Sequence, residues 1–299
     1  MTILITGASG LIGSHLCKTL SESGADVVAL THQTDNPVLL SIPQANIEIT
    51  PCDIQDYDNL SLVFRYYHPD TVFHFAAHLP STANPDFLKV NVIGTSILLD
   101  ICHHNRVKNF IYASSMSVYS TPPIRLPVDE EHSTRPDDDY GRTKLIGELL
   151  CKCYSKAIRT MVVRFSSVFG LGDNSRVAYH FMQSALSGQA IQVDGDGSQS
   201  SDFIYVDDAI DGMILALEDG KSGEIYNIGS GQETSVLELA NLIAGLVEPP
   251  VEVGLSGKPA TRPFRFAADI VKARRELGYS PSPLVDGLKK YYEEINDKR

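Results

Sequence analysis

The chain carries a tyrosine and a lysine at helical spacing, Tyr140 and Lys144, in the run Asp139-Tyr140-Gly141-Arg142-Thr143-Lys144. Leu145, Leu149 and Leu150 continue the pattern as a helix, so the two polar side chains lie on one face about a turn apart. A phenol with an ordinary pKa near 10 is a poor base at neutral pH, and lowering it by roughly three units takes about 4 kcal/mol of preference for the phenolate. One ammonium at about 4 Å in an effective dielectric of about 20 supplies something of that order. The pair therefore suits removal of a proton from a hydroxyl group. Spacing alone is a weak signal in a chain with 13 tyrosines. Its weight comes from Ser114-Ser115, which ends the apolar run Phe110-Ile111-Tyr112-Ala113 upstream.

A second chemical signal opens the chain. The apolar run Ile3-Leu4-Ile5 leads into Thr6-Gly7-Ala8-Ser9-Gly10-Leu11-Ile12-Gly13, and Leu16 and Leu20 follow at helical spacing. A buried strand that stops at a glycine-rich turn and leaves as a helix gathers free N–H groups and a positive helix end at one point, which suits a pyrophosphate. Gly7 allows the tight turn, Gly10 lets the phosphates approach the backbone, and Gly13 brings helix against strand. The next strand, Val27-Val28-Ala29-Leu30, runs into Thr31-His32-Gln33, with Asp35 only afterwards. Neither the carboxylate that reads the ribose of NAD nor the arginine that greets the 2′-phosphate of NADP stands there. NAD and NADP both remain open; Thr31 or His32 could donate to a phosphate. Asp53, after a third strand, is placed either to accept from the adenine amine or to cap its own turn.

These residues need a scaffold that brings strand ends together. Short β-branched or aromatic runs at Ile3–Ile5, Val27–Leu30, Ile47–Ile49, Thr71–Phe75, Phe110–Ala113 and Met161–Val163 alternate with helical patterns, among them Phe87-Val90-Ile93-Ile97-Ile101. Repeated strand–helix–strand units imply an α/β doubly wound parallel sheet of the Rossmann kind, with the ligand across the carboxyl ends of its strands. From about residue 166 the alternation breaks and glycines and prolines become frequent. Residues 1–165 are expected to bind the dinucleotide, and residues 166–299 mainly to form a smaller α/β substrate-binding unit, with some segments returning to the first. A helix is expected from Val236 to Val247.

Composition bounds the rest. The 299 residues are 43% hydrophobic and 21% charged, enough for a sizeable core, and the net charge of −12 disfavours nucleic acid or an anionic membrane as partner. No apolar run is long enough to span a bilayer, and the first strand leaves no room for a signal peptide. The five cysteines form no disulfide framework, and Cys151-x-Cys153 lacks the matching pair of a zinc site, so a cytoplasmic protein without a metal is expected. The acidic run Asp137-Asp138-Asp139 reads as a solvated helix start.

Many motifs in order resemble the extended short-chain dehydrogenase/reductase family, in its branch of nucleotide-sugar epimerases and dehydratases typified by UDP-galactose 4-epimerase. They are the glycine loop at 7–13, Asp53-Ile54, His74-Phe75-Ala76-Ala77, Asn91-Val92-Ile93-Gly94-Thr95, Ser114 to Tyr119, Tyr140-x-x-x-Lys144, Arg164 to Gly170, Gly195 to Gln199, Asp202 to Asp208 and Arg262-Pro263. The resemblance implies a catalytic trio. Tyr140 takes the sugar hydroxyl proton, Ser115 bonds the same oxygen, and Lys144 holds the nicotinamide ribose and lowers the Tyr140 pKa. It further implies cofactor contacts from Gly7, Gly10, Leu11, Ile12, Gly13, Thr31, His32, Asp53, Ile54, Phe75, Ala76, Ala77, Asn91 and Ser166. Substrate contacts are implied for His78, Ser167, Arg176, Ser201 and Arg262.

The departures from the family pattern also carry information. Met116-Ser117 stands where dehydratases of this branch carry an Asp-Glu pair, so a 4,6-dehydratase is not expected. Ser167 replaces the usual Asn of the diphosphate site and Ser201 the usual Arg, while Arg265 stands where an Asp is common. Either Arg262, Arg265 and Arg176 hold a diphosphate in a changed arrangement, or the substrate is not a standard UDP-sugar. The expected activity is an NAD(P)-dependent nucleotide-sugar epimerase. The alternative is an NADPH-dependent keto-sugar reductase with the same trio, and a dinucleotide sensor without catalysis is a third reading. The helix from Phe87 to Ile101 and the Tyr140 helix resemble the pair through which members of the family form homodimers.

Overall fold

A computed structural model of the chain describes residues 1–32, 36–43, 46–80, 82, 86–260 and 265–297. The first half alternates β1 (Thr2–Thr6), α1 (Leu11–Glu22), β2 (Asp26–Thr31), α2 (Pro37–Leu40), β3 (Ile47–Pro51), α3 (Tyr57–Tyr67) and β4 (Thr71–His74). After a π-helical stretch (Leu88–Gly94) come α4 (Thr95–His104), β5 (Asn109–Ser115), α5 (Asp139–Tyr154) and β6 (Arg159–Phe165). The second half holds β7 (Ser167–Phe169), α6 (Val177–Leu186), β8 (Ile191–Val193), β9 (Ser200–Ser201), β10 (Phe203–Tyr205) and α7 (Val206–Asp219). It ends with β11 (Ile225–Ile228), β12 (Thr234–Ser235), α8 (Val236–Ala244), β13 (Val253–Leu255), α9 (Val271–Leu277) and α10 (Leu284–Asn296).

Seven strands form one parallel sheet in the order β11-β6-β5-β4-β1-β2-β3. The alternation of side chains along each strand explains why both faces are covered. Ile3, Ile5, Phe73, Ile111 and Ala113 point to one face, where they pack with Leu16 and Leu20 of α1 and Ile210 and Met213 of α7. Leu4, Val72, Phe110 and Tyr112 point to the other, against Phe64 of α3, Leu98 and Leu99 of α4, and Cys151 of α5. Each fully buried Leu, Ile, Val, Phe or Met among them contributes about 1.5–3 kcal/mol relative to exposure. Successive strands are added in opposite directions from the β1–β4 pair, β2 and β3 to one side and β5, β6 and β11 to the other, which leaves a crevice beyond the carboxyl ends of β1 and β4.

The C-terminal part does not stay apart from this sheet. β11 joins it beside β6, pairing Ile225 with Val162 and Ile228 with Phe165, and α7 packs on the same face as α1. The remaining strands make three two-stranded pairs, β7 with β10, β8 with β13, and β9 with β12.

Two local expectations meet a different outcome. The pattern from Phe87 to Ile101 predicts a single amphipathic helix, whereas its first half is wound as a π-helix. Asn91, in that wider turn, turns its amide inward to grip the backbone of His78, accepting from its N–H at 2.8 Å and donating to its carbonyl at 3.1 Å. The helix expected to reach Val247 stops at Ala244, capped by Gly245. Its start has a capping box, in which Ser235 and Glu238 satisfy each other's backbone N–H groups.

Candidate active site

β1 ends at Thr6 and the chain turns at Gly7, whose φ of +66° favours glycine and whose Cβ would stand 2.6 Å from the backbone nitrogen of Ala76. Gly13 lies so close to the Gly7 carbonyl that a side chain has no room. Gly10, the N-cap of α1, has extended backbone and presents it bare to the crevice. The first turn of α1 carries no acidic side chain and Gly10 offers no side-chain cap, so its N–H groups and the positive helix end are left for an anion.

From this loop a cleft of about 710 Å³ extends over the ends of β2, β3, β4, β5 and β6 to Tyr140 and Arg176. Ser115, at the end of β5, accepts from the Ser117 N–H at 3.1 Å and hydrogen-bonds the Tyr140 hydroxyl. Tyr140 stands in the first turn of α5, a helix capped by Asp138, whose carboxylate accepts from the Gly141 N–H at 2.7 Å. One turn on, Lys144 is only 3% exposed. Its ammonium donates to the Ala113 carbonyl at 2.8 Å and lies over the rings of Tyr112 and Tyr140, 5.0 and 5.8 Å from their centroids.

The electrostatics differ from the sequence expectation. Lys144 is expected to bring the Tyr140 phenol down, yet burial pushes the phenol up to about 12, against Arg176 and the Ser115 hydrogen bond, which pull it down. Burial also lowers Lys144, to about 8, against the pull of Cys151 and Glu148. Desolvation disfavours both charged forms here, and it outweighs the help each receives.

Two buried polar networks hold these groups. Glu148, one turn beyond Lys144, accepts from Ser114 at 2.5 Å and from the Arg164 guanidinium at 2.8 and 2.6 Å. Arg164 also donates to the Tyr119 hydroxyl at 2.7 Å, which in turn donates to Asn227 at 2.8 Å. In the second network Thr6 bonds His74 Nδ1 at 2.6 Å, and His74 Nε2 bonds Thr95 at 2.8 Å. Thr95 already donates to the Asn91 carbonyl, so it accepts from His74 and fixes the Nε2–H tautomer. Asn91 donates at 3.1 Å to Thr143, whose hydroxyl donates to the Tyr140 carbonyl at 2.9 Å, which ties the network to α5. Burial, with the nearby Lys144 charge, holds His74 at about 3, hence neutral.

Of the residues singled out by sequence, the glycine loop, Leu11, Ile12, His32, Asp53, Ile54, Phe75, Ala76, Ala77 and Ser166 line the cleft, as do His78, Ser115, Tyr140, Lys144 and Arg176. Thr31 and Asn91 are buried behind its wall, 1% exposed each. Asp53 spends its carboxylate on its own turn, accepting from the Gln55 N–H at 2.9 Å and from its side-chain amide at 3.1 and 3.2 Å. Ser167 and Ser201 are not wall residues; their hydroxyls bond each other at 2.7 Å. Arg265, an exposed side chain absent from the cleft lining, pairs with Glu233 at 2.5 and 2.6 Å. Gln33, Asp35 and Arg262 lie outside the described residues.

Sequence reasoning passed over Cys52, Gln55, Asp86 and Lys89, which also line the cleft, and Glu148, an acid on the buried face of α5. Its spacing from Lys144 was the available signal. All five cysteines are free thiols, and among the described residues no group of acids, histidines and cysteines could hold a metal ion.

The residues fit a dinucleotide. The acid-free helix start faces the cleft, the Lys144 ammonium has one carbonyl partner and further N–H groups to give, and the buried Ser166 hydroxyl in the wall has no partner among the described residues. The first would hold the pyrophosphate, and Lys144 and Ser166 the nicotinamide end.

Comparison with known proteins adds to this geometry. The profile of the NAD dependent epimerase/dehydratase family matches residues 3–229. The chain is 33% identical over 305 residues to a putative UDP-glucose 4-epimerase of Methanocaldococcus jannaschii, with 96% of each chain covered. It is 30% identical over 308 residues to a dTDP-4-dehydro-6-deoxy-D-allose reductase of Streptomyces bikiniensis, covering 96% of this chain and 94% of that one. Among solved structures, UDP-glucuronic acid 4-epimerase from Bacillus cereus in complex with UDP-glucuronic acid and NAD matches with a TM-score of 0.87 at 31% identity, over the whole of both chains.

Proposed function

The chain belongs to the NAD dependent epimerase/dehydratase family, and from that premise we propose that it is an NAD-dependent epimerase of nucleotide sugars. The observation that carries the reading is the meeting of Ser115, Tyr140 and Lys144 in one cleft with a bare helix start at its other end. As phenolate, Tyr140 accepts the proton of a sugar hydroxyl, and Ser115 donates to that oxygen and fixes its place. Lys144 orients the cofactor and adds positive charge beside the phenol. NAD held in the cleft by the α1 start, Lys144 and Ser166 would supply reversible hydride exchange with the sugar carbon. Tyr140 then gives its proton back to the oxygen of the turned sugar, so the reaction has no net redox change.

Loss of water from the sugar is outside this reading. It would need an acid and a base beside Ser115, whereas Met116 is buried and Ser117 bonds Ser115 at 3.1 Å. A second reading, a keto-sugar reductase, draws on the Streptomyces bikiniensis relative. Incubation of the purified protein with UDP-glucose, UDP-glucuronic acid and TDP- and GDP-sugars separates the two. An epimer formed at constant dinucleotide supports epimerisation; stoichiometric reduction of added NAD or NADP, the reverse of keto-sugar reduction, refutes it.

The active form we propose is a homodimer in the cytoplasm. Leu88 and Ile93 before α4 and Leu149 on α5 are exposed apolar side chains on packed neighbouring helices, which supports pairing of two copies there. Free cysteines suit a reducing compartment. Among the described residues no helix is long and apolar enough to cross a membrane. A monomer by sedimentation at micromolar concentration would refute the dimer.

A further inference from the structure

Arg176 precedes α6 as its N-cap and stands half-buried in the wall of the cleft that holds Ser115 and Tyr140. One of its guanidinium nitrogens donates to the Val168 carbonyl in the middle of β7. Arg142, Arg164 and Arg265 each face a carboxylate, whereas Arg176 makes no ion pair among the described residues. A half-buried guanidinium anchored by a neutral carbonyl keeps its full positive charge, and the low-dielectric wall lets that charge act on its neighbours. We infer that Arg176 is a positioning residue for proton transfer, an unpaired cation built into the cleft wall to favour the ionised form of Tyr140.

The other groups around the phenol do not supply this charge steadily. On its own helix Asp138 opposes ionisation, and Lys144 bonds the Ala113 carbonyl, with the Glu148 carboxylate one turn on. From β5, Ser115 gives a neutral hydrogen bond; from the segment before α4, Phe87 packs its ring 6.4 Å from that of Tyr140. In the same wall Asp86 and Lys89 pair with each other at 3.1 Å, and His78 Nδ1 accepts the Asp86 N–H at 3.0 Å. Arg176 is the strongest favourable influence on the phenol, ahead of Ser115. Burial brings Lys144 to about 8, so its charge fades in the range where a phenolate base works. A guanidinium keeps its charge throughout that range.

The inference rests on Tyr140 as the acid–base group proposed above, and its test reads the phenol directly. Difluorotyrosine placed at position 140 is titrated by fluorine NMR in the protein without added substrate, in native, Arg176→Gln and Arg176→Lys backgrounds. The apparent pKa should rise by about one pH unit in Arg176→Gln and return most of the way in Arg176→Lys. In unlabelled enzyme the acidic limb of kcat/KM for UDP-glucose should move upward by the same amount, with kcat at neutral pH falling about tenfold. Identical titrations in the three backgrounds overturn the inference. So does an unmoved limb with a raised KM, which would make Arg176 a ligand of the substrate's anionic group. Should Arg176→Gln not fold, the titration in Arg176→Lys against Arg176→Met decides in the same way. Full activity of Tyr140→Phe would instead sink the epimerase reading, and the titration separates the two failures.

Discussion

His74 gives a prediction whose size follows from its surroundings. The ring is 1% exposed, hydrogen-bonded on both nitrogens by Thr6 and Thr95, and held at about 3 by burial and the nearby Lys144 charge. In the unfolded chain it titrates near 6.5. Because the folded value lies below the unfolded one, the unfolded state takes up the proton first as pH falls. Stability from this residue is therefore complete above about pH 6.5 and is lost as pH falls toward 3. Between pH 7 and 5 the loss amounts to about 2 kcal/mol, a figure that holds for any folded value below about 4. Urea unfolding of native protein and His74→Gln at pH 7, 6 and 5 tests it. Glutamine keeps a donor and an acceptor for the two threonines but does not titrate. The variant should start less stable at pH 7 by about 1–3 kcal/mol, and it should lose about 2 kcal/mol less than native protein on going to pH 5. Other buried histidines, His15 and His132, are common to both proteins and cancel. Parallel losses in the two proteins would refute a neutral buried His74.

Glu148→Gln leaves the Arg164 guanidinium, 3% exposed in its side chain, without a counter-charge, so unfolding should become easier by about 3–5 kcal/mol, with a fall in Tm of roughly 10 °C by calorimetry. Gly10→Asp places a carboxylate where the backbone is extended and the site faces the cleft. It should weaken NAD binding by titration calorimetry at least about tenfold through repulsion of the pyrophosphate, while Tm stays within a few degrees of native. Ser115→Ala removes the hydroxyl that bonds Tyr140 and should lower kcat about 10- to 100-fold with a much smaller change in KM, measured by steady-state kinetics on UDP-glucose.

The parallel sheet was legible because its central strands are buried on both faces and so read as short unbroken apolar runs, as at Ile3–Ile5 and Phe110–Ala113. The glycine loop was legible for a related reason: Gly7 and Gly13 are excluded from carrying side chains by backbone a few residues or a strand away. Periodicity could not reveal the π-helical turn at 88–94, since its apolar spacing is that of an ordinary helix. What winds it wider is tertiary, the grip of Asn91 on His78. Asp53 illustrates the same limit. Its position at the end of β3 brought it to the cleft, but whether its carboxylate faces a ligand or its own turn depended on Gln55 two residues on.

The pKa of Tyr140 could not be read from sequence at all. Spacing sets the distance to Lys144, and distance sets the Coulomb attraction, but the opposing desolvation depends on how the cleft closes over both groups. Here it raises the phenol and lowers the ammonium together. A pair whose members are both pressed toward neutrality leaves proton transfer to be tuned by charges from other parts of the chain. The second half of the chain also settles how the substitutions near β7 relate. Ser167 and Ser201, read singly, are two lost phosphate ligands; in the fold they are one hydrogen-bonded pair, and Glu233, which holds Arg265, also accepts from Ser200 beside it. The changes at 167, 201 and 265 therefore act together. Against the family pattern they put two paired hydroxyls in place of an amide and an arginine, and an arginine held by Glu233 where an Asp is common, while Arg176 stands as an unpaired guanidinium in the cleft wall among the described residues.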